Sequence, residues 1–189
     1  MKSRQVGIIL VSAVIGLTSV AAVSSQDWEA ANAATVRLKP SAFLTLPVTV
    51  RDYLERRRCT IPQSVFDKTP HNVVRGRFMS AARTDIAVLC SVDRASTVLV
   101  FRGGATSEVS ELARHPDEVF LQVVSPGVVG YSRALGVADP RYIREHHAAF
   151  GGPQPPPLDH DGINDIFVEK GSVVWYCYRG KWLHLQGAD

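Results

Sequence analysis

The stretch Leu158-Asp-His-Asp-Gly-Ile-Asn-Asp-Ile-Phe167 gathers residue types that bind hard cations or turn a chain sharply. Oxygen-rich calcium loops set ligands at alternate positions, with one backbone carbonyl and a glycine at the tight bend. With Gly162 as that glycine, Asp159 and Asp161 take side-chain positions, Ile163 supplies the carbonyl and Asp165 takes the later, water-mediated position. Pro157 stands where the first aspartate belongs, and the distal bidentate position falls on Val168, with Glu169 one step beyond. Three carboxylates without a bidentate closer predict weak calcium binding, in the ~0.1 to 1 mM range of extracellular modules. The same residues also build Asx-turns and type I or I′ turns without any ion, so a cation site and a bare turn are both open.

His160 lies in this loop, and His146-His147 close the helical pattern before it. A hydrolase would use Asp159, His160 or Asp161 as acid, base or ligand. Adjacent histidines on a helix point about 100° apart and do not chelate one ion together, and no His-x-x-x-His spacing occurs. No serine stands in a G-x-S-x-G elbow, and Gly103-Gly104 lacks the lysine of a phosphate loop. Cys177 sits mid-strand among Trp175, Tyr176 and Tyr178, surroundings that bury a thiol and raise its pKa. Alternation along this strand sets Val174, Tyr176 and Tyr178 on one face and Val173, Trp175 and Cys177 on the other. Neither face is polar, which predicts a central strand covered on both sides, with a ligand-stacking aromatic platform as the rival reading.

The elements that must hold these residues follow from periodicity. Leu46, Val50, Tyr53 and Leu54 fall at helical spacing with Arg51, Glu55 and Arg56 between them, predicting an amphipathic helix over 46–57. Residues 84–90 and 96–101 read as a hairpin, 118–124 as a further strand closed by Pro126-Gly127. Asp139-Pro140 supplies an N-cap and a first-turn proline for a helix through 141–150, which Gly151-Gly152 stops. The proline-rich run 153–157 is a stiff linker, and strands follow over 164–169, 172–178 and 182–185. Residues 23–44 are small, polar and aperiodic, and read as a mobile lead segment.

Thr84-Asp85-Ile86-Ala87-Val88 and Asn164-Asp165-Ile166-Phe167-Val168 match, and each precedes a strand ending in an aromatic residue and Arg-Gly, Phe101-Arg102-Gly103 and Tyr178-Arg179-Gly180. One β-meander therefore occurs twice, a self-similarity that marks repeat architectures. Gly76-Arg77-Phe78 with Thr84-Asp85-Ile86-Ala87-Val88-Leu89, and Asp161-Gly162 with Asp165-Ile166-Phe167-Val168, resemble FG-GAP repeats, the blade units of integrin-type β-propellers. That resemblance implies strand-forming units with a calcium loop. The first unit has Met79-Ser80-Ala81-Ala82-Arg83 in place of the acidic loop, which removes the implied calcium function there. A propeller needs four or more blades, so two units predict a different architecture: one compact α+β domain over 45–189, mainly antiparallel sheet built from two β-meander units with two helices packed on it.

Lys2 and Arg4, the uncharged run Val6 to Val23 and the small residues Val20-Ala21-Ala22 read as a cleaved export signal over 1–22, with an uncleaved membrane anchor as the alternative. Its removal takes the formal charge from +3 to +1, which leaves no basic footprint for nucleic acid. Export permits a disulfide. Of three pairings, Cys59 at the end of the first helix with Cys90 at the end of a strand is favoured, leaving Cys177 a buried thiol. The expectation is a secreted or periplasmic monomer, a non-catalytic module that binds a protein or small ligand, with calcium as its one candidate cofactor. An extracytoplasmic hydrolase using the Asp159-His160-Asp161 loop and a purely structural envelope protein are the alternatives.

Overall fold

The computed structural model describes residues 25–189, so the export signal expected over 1–22 lies outside the described residues. The chain runs α1 (Ser25–Ala34), β1 (Arg37–Leu38), α2 (Val48–Arg56), β2 (Ile61–Pro62), β3 (Val73–Gly76), β4 (Asp85–Val92), β5 (Ala95–Phe101) and β6 (Val109–Pro116). It continues through β7 (Leu121–Ser125), β8 (Val128–Tyr131), β9 (Arg133–Ala138), α3 (Pro140–Phe150), β10 (Gly162–Phe167), β11 (Gly171–Tyr178) and β12 (Lys181–Gln186). The fold is α+β, and every strand pairing is antiparallel.

The two related units form two four-stranded meanders, β3-β4-β5-β6 and β9-β10-β11-β12. They pack face to face, which corrects the expectation of one sheet. Alternation along the strands explains why two are needed: β4 and β5 are apolar on both faces and must be covered twice. Ile86, Val88, Cys90, Leu99 and Phe101 point outward beneath Val50 and Leu54 of α2. Ala87, Leu89, Val98 and Val100 point inward, against Leu135, Ile163 and Trp175 of the second sheet. The outer face of that sheet, Ala138, Val174, Tyr176 and Leu185, is closed by Ile143 of α3. The result is a helix–sheet–sheet–helix stack with the main core between the sheets.

α3 begins where its sequence directs: the Asp139 carboxylate accepts the Tyr142 amide at 2.7 Å, with Pro140 in the first turn. Two other elements differ from expectation. Asp117–Phe120 is a 3-10 turn, so the strand read over 118–124 starts only at Leu121; the turn carries Asp117 inward, where it accepts from Arg37 and Ser91. Residues 25–44, read as a lead segment outside the domain, carry α1 and β1, and β1 pairs with β2 through Arg37↔Pro62 and Leu38↔Ile61. Their order comes from distant partners, the Arg37–Asp117 ion pair at 2.8 Å above all, which no local periodicity reveals.

Polar contacts stitch the sheets where β3 meets β9. Asn72, just before β3, sends its side-chain amide to the carbonyl of Arg133 at 3.1 Å and accepts the Leu135 amide at 2.8 Å, both on β9. β6 and β12 stand at the opposite edges of their sheets.

Candidate functional site

The aspartate loop is built into that stitched side. Asp161 and Arg77 exchange two hydrogen bonds, amide to carbonyl at 3.0 Å and the Arg77 amide to Oδ2 at 2.9 Å, so the loop clamps the chain leaving β3. His160 is buried, its ring stacked on Tyr176 at 4.3 Å, with each ring nitrogen 2.9 Å from a backbone carbonyl, of Asp161 and of Cys177. Asp159 is exposed; its amide donates to the Tyr176 hydroxyl, which lies 3.2 Å from Oδ1. Burial holds that phenol above its ordinary range. Ile163 points into the core between the sheets, and its backbone lies in register with both β9 and β11. Asp165 grips Arg133 with both oxygens, at 2.8 and 2.7 Å.

Gly162 is a strand residue in ordinary backbone conformation, and a Cβ there would lie 2.5 Å from Val174 and 3.1 Å from the Trp175 carbonyl. It serves close packing under α3 and not the sharp bend of a cation loop. The four residues expected as calcium ligands thus face different partners, and among the described residues no three His, Cys, Asp or Glu side chains gather as a metal group. A thermal melt with several millimolar calcium, then chelator, is expected to show no shift. A rise in melting temperature that Asp161→Asn abolishes would place a cation in the loop after all.

The Cys59–Cys90 pairing is present as a disulfide, Cα atoms 5.4 Å apart and both residues buried. Cys177 is a buried free thiol whose pKa burial raises, which disfavours the nucleophilic thiolate.

Arg133 was not legible as a functional residue, although a lone arginine inside Val128-Val-Gly-Tyr-Ser-Arg-Ala-Leu-Gly-Val-Ala138 is the signal that could have found it. It is fully buried and joins four strands. Besides Asp165, its guanidinium donates to the Ser96 hydroxyl at 2.9 Å and to the Ala113 carbonyl at 2.9 Å, and it lies 4.3 Å over the Phe120 ring. Ala113 sits at φ +51°, beside the register break between β5 and β6. That bulge conformation is unusual for a residue with a side chain and turns a strand carbonyl toward the cation. Asp85, the counterpart of Asp165 in the first unit, accepts instead from the Met79 and Gly103 amides, each at 2.8 Å. The shared aspartate of the two units therefore has one buried, hydrogen-bonded place and two different partners.

Between the β10-β11 hairpin and the Asp117–Phe120 turn with the adjoining end of β6, a groove of about 360 Å³ opens above this ion pair. Its floor includes Asp165; Phe120, Phe167, Val173 and Trp175 form its walls, and His115, His184 and Lys170 stand at its lip. The rings form two groups: Phe120 meets Phe167 edge to face at 5.6 Å and His115 at 5.9 Å, and separately Trp175 contacts His184 at 5.3 Å. Two larger clefts of about 520 and 610 Å³ flank α1, each with a single aromatic ring, Tyr131 or Trp28. An apolar, ring-lined concavity over a rigid polar floor is the arrangement that binds small molecules, and its volume lies at the small end of such sites.

Comparison with protein-family models, with curated proteins and with solved structures finds no match. Among the described residues no helix is long and apolar enough to cross a membrane.

Proposed function

We propose that the chain is an exported, non-catalytic binding module whose ligand enters the groove between the β10-β11 hairpin and the Asp117–Phe120 turn. The observation that carries the reading is the shared aromatic lining of Phe120, Phe167 and Trp175 above a fully hydrogen-bonded Arg133–Asp165 pair. A floor whose charges are mutually satisfied orients a ligand without reacting with it, and rings held on strands lose little freedom on contact. The loop proposed for a hydrolase has its histidine turned into the protein with both nitrogens at backbone carbonyls, which supports the non-catalytic reading. The Cys59–Cys90 disulfide accords with an oxidising compartment, and so with export.

The test is fluorescence titration with the neutral probe N-phenyl-1-naphthylamine. Saturable binding is expected, weakened about tenfold or more by Val173→Asp, which sets a carboxylate in the apolar wall. Saturable binding of equal strength in that variant, with its melting temperature near that of the parent, would remove the groove as the site.

A further inference from the structure

We infer that the groove selects a small aromatic acid, its rings between Trp175 and Phe167 and its anionic group at Lys170; this rests on the binding reading above. Three features point to that chemistry. The first is the wall: a ring cluster offers faces and edges to another flat ring, a contact worth more than area alone. The second is charge. Asp165 is the one carboxylate among the described groove-lining residues, and Arg133 already takes both of its oxygens. The lip residues that ionise, Lys170, His115 and His184, are all basic, and Lys170 makes no ion pair among the described residues. An anion at the lip therefore meets a cation held in no ion pair, whereas an ammonium group meets, among the described lining residues, only the carboxylate that Arg133 already occupies. The third is position: Lys170 lies in the turn between β10 and β11, at the mouth of the groove, so a ligand can bury its rings and leave its charge half in water.

A matched pair of probes separates the two readings. 1-Anilinonaphthalene-8-sulfonate and N-phenyl-1-naphthylamine share one aromatic body and differ by a sulfonate. In the full chain, Lys170→Glu is expected to weaken the sulfonate about tenfold, since it removes an attraction and adds a repulsion, and to leave the neutral probe within about twofold. Lys170 is exposed and contributes nothing to the core, so the variant folds as the parent does. If both probes bind at the groove and neither responds to Lys170→Glu, the acid preference is wrong while the binding site stands. If neither probe binds, or Val173→Asp affects neither, the groove is not a ligand site and the inference fails with it.

Discussion

Arg133→Met will destabilise the domain by about 3–5 kcal/mol in chemical denaturation, the cost expected when one partner of a buried pair is removed. The loss exceeds that of a surface ion pair because nothing else is placed to receive the charge. Asp165 is left with a carboxylate whose side chain is 8% exposed, while the Ser96 hydroxyl and the Ala113 carbonyl lose their donor. Coupling should show in the pair of variants: Arg133→Met with Asp165→Leu will recover a large part of the loss, because two apolar side chains of similar size need no counter-charge. Costs that simply add would mean that the two groups act independently, and that the ion pair does not lock the sheets together. The groove sits directly over this pair, so the single variant will also weaken the neutral probe, and the double variant, which deletes the polar floor, will not restore it fully.

Removing the second cross-link comes next in size. Cys59→Ser with Cys90→Ser will cost about 3–4 kcal/mol, since the bridge spans a sequence separation of 31 and so restricts the unfolded chain over a long loop. The bridge joins the segment after α2 to β4 within the outer core that also holds Val50 and Leu54. Hydrogen exchange will therefore accelerate first in α2 and least in β10 and β11, which lie in the other sheet. Uniform acceleration across both sheets would contradict the layered arrangement, in which each outer helix is held by its own core.

How much of this was legible in the residues depended on whether the deciding interaction was local. α3 could be read because Asp139 and Pro140 set its start within one turn, and the cap is present as expected. The two hairpins β4-β5 and β10-β11 could be read because β-branched runs and short polar turns lie together in sequence. β11 could be assigned as a central strand, since Val174 and Tyr176 lie under α3 and Trp175 packs toward the other sheet, although Val173 and Trp175 stay half-buried where the groove opens. The Cys59–Cys90 pairing followed from placing both residues at the ends of adjoining elements.

The rest was decided at long range. β6 has the sequence Val-Ser-Glu-Leu-Ala-Arg-His-Pro, whose alternation is broken by the bulge at Ala113, so period-two reading passes over it. β3 has only four residues and β9 carries an arginine and a glycine in its apolar run, so neither alternates cleanly, and Asn72 joins their edges from outside both strands. The acidic loop's residue types suit cation and turn alike, and the partners of its aspartates, Arg77 and Arg133, lie far away in the chain where no local spacing reveals them. Gly162 likewise resembles a bend residue in sequence, whereas the space it must leave free belongs to Val174.

Where a ligand touches the protein decides the role of the groove. Backbone amide shifts recorded while N-phenyl-1-naphthylamine is added should move at Phe120, Phe167, Val173, Trp175 and His184, and stay still at the stitched side around Asn72, Asp161 and Arg77. Shifts centred on α1 and the β7-β8 hairpin, or spread evenly over the chain, would contradict the assignment of the groove as the binding site.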